Sequence, residues 1–141
     1  MSRKTAREVA MKLTYEHIFG CDDTYIDVLE KSDIIEEPSS EDIKFATGLV
    51  AGVQNNIEKI DELISKALRG WTISRMPKVD LSILRNAVYE LVFDKSVSDA
   101  IVINEAVELA HVFCDEKSPR FINGILGSIS RGKAEESVAV E

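Results

Sequence analysis

The sequence predicts an all-α fold of about seven helices in two packed bundles. Three observations predict it. Apolar residues recur at the 3.6-residue interval of a helix through nearly every segment. The only three prolines, Pro38, Pro77 and Pro119, fall between those segments rather than inside them. The one β-branched run, Ile101-Val102-Ile103, is too short to make a sheet, although it leaves a pair of strands open. A chain of 141 residues fits a single domain, or two small subdomains with a shared core, and can bury roughly 68% of its unfolded surface.

The first helix is expected over about residues 2–19. Ala6, Val9, Ala10 and Leu13 form one apolar stripe and Met11, Tyr15 and Ile18 another, so this helix is buried on more than one side. A short helix, Thr24 to Lys31, carries Ile26 and Leu29. The polar run Glu36-Glu37-Pro38-Ser39-Ser40 then breaks the chain, and a serine cap with Glu41 and Asp42 in the first turn opens a long helix to about Leu68. Gly48 and Gly52 within it, like Gly124 and Gly127 near the end, read as places where a neighbouring helix approaches a smooth backbone. Arg69 to Lys78, with Gly70, Trp71 and Pro77, is a joint that divides an amino-terminal subdomain, 1–70, from a carboxy-terminal one, 71–133.

Beyond the joint, a helix over Val79 to Phe93 turns Leu81, Leu84, Val88 and Leu91 inward. The β-branched run places the next start at Asn104 as N-cap rather than at Ser98. Ile103, Ala106, Val107, Ala110 and Phe113 then form its apolar face. Ser118-Pro119 restarts a helix, with the hydroxyl accepting from free amides and proline losing no hydrogen bond at the first position. After Ser130 the amphipathic spacing fades, and residues 134–141 are expected to fray.

Composition excludes several function classes. The net charge of −8, from 25 acidic and 17 basic residues, opposes indiscriminate binding of nucleic acid. The charge is polarised, however. Arg3, Lys4 and Arg7 at one end, and Lys117, Arg120, Arg131 and Lys133 near the other, lie in stretches without acids, whereas acids dominate Asp22 to Glu62. Cys21 and Cys114 are the only cysteines; they lack metal or redox spacing and fit a reducing cytoplasm. No apolar run reaches membrane-spanning length. No phosphate-cradling loop or zinc-protease motif occurs, and His111 with Cys114 has no third residue to orient a thiolate. Neither catalytic residues nor metal ligands nor a cofactor are expected.

The binding chemistry gathers at two places. Arg120 and Phe121 sit at a helix N-terminus, where exposed amides favour phosphate and a ring can stack on an unpaired base. The same ring could equally be core. Arg3, Lys4 and Arg7 open the first helix, an unfavourable end for cations, so a partner would explain them better than stability does; the alternative is a solvated tail. Cations near Tyr15 or Phe121 would suit single-stranded RNA.

Three ordered blocks resemble the NusB family of transcription antitermination factors. They are Arg3-Lys4-Thr5-Ala6-Arg7-Glu8-Val9-Ala10 with Tyr15; Val79 through Leu91; and Asn104-Glu105-Ala106-Val107-Glu108-Leu109-Ala110 followed by Arg120-Phe121-Ile122-Asn123-Gly124-Ile125-Leu126. The resemblance implies a non-enzymatic cytoplasmic adaptor. Such an adaptor binds boxA-type RNA with the ribosomal protein NusE and supports processive RNA polymerase on ribosomal RNA operons. It further implies that Arg3, Lys4, Arg7, Arg120 and Phe121 bind RNA, and that Tyr15, Asp80 and Glu90 form or support the partner surface. Two alternatives stay open: a self-associating helical protein, as in homodimeric members, and a module like that attached to rRNA cytosine methyltransferases. The sequence departs from the family at His111, often a lysine, at Ser98-Asp99, often with a proline, and in having fewer amino-terminal arginines.

Overall fold

In the computed structural model the backbone is described for residues 3–34, 37, 39–70 and 72–140, and side chains as far as Lys133. Among these residues there are seven α-helices and no strand. They are α1 (Arg3–Ile18), α2 (Tyr25–Lys31), α3 (Ser40–Asn55), α4 (Ile57–Ala67), α5 (Lys78–Val92), α6 (Asp99–Phe113) and α7 (Ser118–Val140), with a single 3₁₀ turn at Ile73–Arg75 in the joint. Glu36, Pro38 and Trp71, which entered the expected breaks, lie outside the described residues. Helical backbone in α7 continues to Val140, past the point where its amphipathic spacing ends.

The two bundles meet on α5, which packs against α1, α3, α4, α6 and α7. Its buried residues include Leu81, Ile83, Leu84, Ala87, Val88 and Leu91, spaced so that no broad face is left for water. Asp80, Asn86 and Glu90 are therefore buried as well and form side-chain ties to other helices, although the Asn86 amide nitrogen has no partner among the described residues. Arg7 on α1 donates to both carboxylate oxygens of Glu90, from Nε at 3.0 Å and Nη2 at 2.9 Å. Thr14 donates to Asn86 at 2.8 Å, and Ser118 to Asp80 at 2.7 Å. Arg85 reaches α4 through a bidentate pair with Asp61 at 2.9 and 2.8 Å.

Two expected boundaries are corrected. The long helix expected over Glu41 to Leu68 is two helices, because Asn56 leaves the helical region at φ −122°, ψ 21° and its side chain donates to the Gly52 carbonyl at 2.8 Å. Asparagine competes for the backbone carbonyls that would otherwise continue the helix. Conversely α6 starts five residues earlier than the expected cap at Asn104, since Ser98 caps it, its hydroxyl accepting from the Ile101 amide at 3.4 Å. Val102 is buried and begins the stripe Val102, Ala106, Ala110, so packing overrides the β preference of the branched run. The short helix expected from Thr24 begins one residue later, at Tyr25, because Thr24 is its N-cap in a reciprocal capping box with Asp27.

The glycine reading holds at Gly52 alone. A Cβ there would lie 2.2 Å from Cε1 of Tyr89, so α3 and α5 approach only because that atom is missing. At Gly48 and Gly124 a Cβ would meet nothing within 4 Å, and at Gly127 it would meet only the end of the Arg131 side chain. The Tyr89 ring is stacked on Phe93, with centroids 5.6 Å apart, and cannot swing aside freely. Gly52→Ala should therefore cost about 1–3 kcal/mol through overpacking, while Gly48→Ala should be neutral or stabilising by up to about 1 kcal/mol through helix propensity. Denaturant melts of the two variants give the comparison, and equal effects would contradict it.

The Arg7–Glu90 pair yields a second expectation. Arg7 is 7% exposed and Glu90 4%, so Arg7→Ala or Glu90→Ala strands a buried charge and should cost about 3–5 kcal/mol. The double variant Arg7→Met/Glu90→Leu should recover most of that loss in urea unfolding. Recovery of nothing would mean that the pair is not a closed unit.

Candidate nucleic-acid interface

The start of α7 is built by a tie to α5. Ser118, expected to cap the helix as an acceptor, is instead its first helical residue and donates to the buried Asp80 carboxylate. A buried carboxylate oxygen needs a donor, and that need outweighs the capping role. The tie fixes the first turn of α7 on the protein surface. Arg120 is exposed there and forms no hydrogen bond or ion pair among the described residues, and Lys117 precedes it. Phe121 is half-buried: it packs against the core and also walls a groove of about 690 Å³ with Met76, Pro77, Asp80, Ser118 and Glu116. The core reading and the surface reading of this ring each hold in part.

The amino-terminal cations are placed differently from expectation. Arg7 is interior and its donors are taken up by Glu90, so it does not stand on the surface, and Glu90 is not on a partner surface either. Their charges stay because each neutralises the other where water cannot. Burial opposes protonation of Arg7, yet the hydrogen bond to Glu90 and its charge outweigh it and raise the pKa of the guanidinium. Arg3 is exposed, 4.4 Å from the Phe45 ring centroid, donates to the Glu41 carbonyl at 3.3 Å and lies 3.6 Å from Asp42. Lys4 is exposed and bonded to Glu108 on α6 at 2.7 Å. Intramolecular acids thus account for cations that the helix dipole alone disfavours.

Tyr15 is not beside these cations. It lies about 16 Å along α1 from Lys4, at 1.5 Å per residue. Its ring packs on Phe19, whose own ring is 63% exposed, at 5.1 Å. Phe45, Asp42 and Glu108 were missed as parts of the basic end, since nothing local connects residues 38 and 104 positions apart. Opposite charge at the two ends of each pair was the only signal.

Two clusters bear on chemistry. Glu16, Cys21 and Asp23 bring potential metal-ligand atoms within 4.8 Å of one another. Those atoms already serve each other and Lys31: Cys21 donates to Glu16 at 3.7 Å and Lys31 pairs with Asp23. At the other end, burial, then the hydrogen bond to Asp80 and its charge, pushes the Cys114 thiol up to about 12.

Seven helices in two bundles about one buried helix, with the two signature blocks joined across the α6–α7 connection, define an all-helical protein. The chain belongs to the NusB family, which it matches over residues 4–131. It is 39% identical over 142 residues to the transcription antitermination protein NusB of Clostridium botulinum (strain Kyoto / Type A2), a match spanning 92% of this chain and 99% of that one. NusB of T. maritima superposes with a TM-score of 0.80 at 33% identity, covering 93% of this chain and 92% of the other. A crystal structure of antitermination factors NusB and NusE in complex with double-stranded RNA superposes with a TM-score of 0.78 at 31% identity, covering 92% of this chain and 96% of that one. No helix of the described residues is long and apolar enough to cross a membrane.

With a thiol pKa of about 12, Cys114 carries a thiolate in only about one molecule in ten thousand at pH 8. Iodoacetamide at that pH should label it far more slowly in the native protein than in urea, as read by mass spectrometry. Equal rates would show that burial and Asp80 do not protect it.

Proposed function

We propose that this protein is a transcription antitermination adaptor that binds boxA-type single-stranded RNA together with the ribosomal protein NusE, within an RNA polymerase antitermination complex, on ribosomal RNA operons. The observation that carries the reading is Arg120. It is an exposed cation in the first turn of a helix, where the dipole disfavours it, and it has no carboxylate partner among the described residues. An external anion would compensate it. Phe121, half-buried beside Arg120, is the ring proposed to meet a base. Arg3 and Lys4 supply further cations once their acids release them. Arg7 supports this surface from beneath by fixing α1 on α5.

The partner surface is proposed along the groove that Phe121 walls. Its lining carries Asp80, Asp115 and Glu116 against one cation, Lys117, a net negative pattern that suits a basic protein segment such as a ribosomal protein presents. Glu90 serves that surface indirectly by holding α5 in register, and Tyr15 lies on a different part of α1. The protein works in the cytoplasm as a recognition module with no catalysis of its own. The family membership shared with NusB proteins crystallised with NusE and RNA supports this reading.

The test is fluorescence anisotropy with boxA-like RNA and NusE across a salt series. Three cations on the phosphates, Arg3, Lys4 and Arg120, predict a slope of about −2 in log affinity against log salt, at roughly −0.7 per phosphate. Arg120→Ala should weaken binding and flatten that slope. Phe121→Ala should weaken binding by about 1–3 kcal/mol with the slope unchanged, because an uncharged ring releases no counterions. Parental affinity in both folded variants would remove the α7 start from the RNA surface.

A further inference from the structure

The exposed cations of the proposed RNA surface are not equivalent. Arg120 is exposed and has no carboxylate partner among the described residues, whereas Lys4 is held by Glu108 at 2.7 Å, the lysine largely and the carboxylate partly open to water. Glu108 does not act alone. Lys4, Glu8, Glu105, Glu108, Val112 and Phe113 line one groove of about 250 Å³ between α1 and α6. The hydrogen bond to Glu108, its charge and that of Glu105 raise the pKa of Lys4, and the same bond lowers that of Glu108. Of the other ionisable groups there, Glu8 is already paired with Lys12 at 2.9 Å. Glu108 is half-exposed and lies off the buried stripe Val102, Ala106, Ala110 of α6.

We propose that Glu108 is an autoinhibitory carboxylate that occupies Lys4 in the free protein and must be displaced by an RNA phosphate before Lys4 can contribute to binding. This rests on the RNA-binding reading above and adds to it an order of events. Phosphate engages the uncompensated Arg120 first, and Lys4 is recruited only when a second phosphate outcompetes Glu108. Because the carboxylate also repels phosphate that does not reach Lys4, its effect is to weaken short or misplaced polyanions more than a strand that spans both elements. That is selectivity by repulsion. A chain with net charge −8 would thereby discriminate among nucleic acids through where its acids sit.

The experiment measures binding of the full-length chain, with NusE, to a fluorescein-labelled boxA-like single-stranded RNA. Four variants are compared with the parent: Glu108→Gln, Lys4→Ala, the two combined, and Glu62→Gln. The last removes a comparably exposed carboxylate that pairs with Lys66 on α4 at 3.1 Å. Exposed ion pairs are weak, so Glu108→Gln should tighten binding by only roughly two- to fivefold. Glu62→Gln should change it by less than that. In the Lys4→Ala background the gain from Glu108→Gln should shrink to less than half. Affinity unchanged or weakened by Glu108→Gln overturns the proposal, and so does an equal gain with and without Lys4, which would assign the effect to net charge. Should the parent fail to bind, or Arg120→Ala leave its binding untouched, the RNA reading itself falls, and the proposal with it.

Discussion

The placement of every other charged group at the amino-terminal end depends on the Arg7–Glu90 pair. Two ions removed from water are costly unless their geometry is good and their remaining donors and acceptors are satisfied. Here the guanidinium meets the carboxylate with two nearly equal bonds, the arrangement in which arginine gives both strength and direction. Together with the Thr14–Asn86 bond, this pair sets how far α1 slides along α5. Slippage by a turn would leave both charges unpaired in the core. With that register fixed, Arg3 falls on Phe45 and the start of α3, and Lys4 falls on Glu108 of α6.

The central helix extends this logic to the far end of the molecule. A helix surrounded by five others has no solvated face on which to put Asp80, Asn86 and Glu90. Each becomes a specific tie, to Ser118, Thr14 and Arg7 respectively. Apolar packing supplies the larger driving force but is indifferent to small shifts in register. Polar ties are directional and are not. The Asp80–Ser118 bond positions the first turn of α7 and with it Arg120 and Phe121.

The cations that open α1 are compensated within the chain. Three amino-terminal cations have acids of the same chain against them, and Lys133 on α7 is likewise held by Asp99 at 2.9 Å and by the Leu91 carbonyl at 2.8 Å. Arg120 and its neighbour Lys117 lack such partners among the described residues.

The sequence by itself determined that the chain is helical, which faces are apolar, where α1, α2 and α5 run, and which blocks mark the NusB family. These properties are local: they depend on periodicity, on caps such as Thr24, and on residue order within a segment. It also placed Arg120 and Phe121 at a helix start, because Ser-Pro marks one wherever it occurs. Only the tertiary structure decided that the long helix breaks at Asn56, that α6 reaches back to Ser98, and that Gly52, not Gly48, is the point of contact. Above all it turned Arg7 inward. A basic residue in a run of basic residues looks like its neighbours until a carboxylate 83 positions away is brought against it. Burial and pairing belong to the packed molecule, and no window of sequence contains both partners.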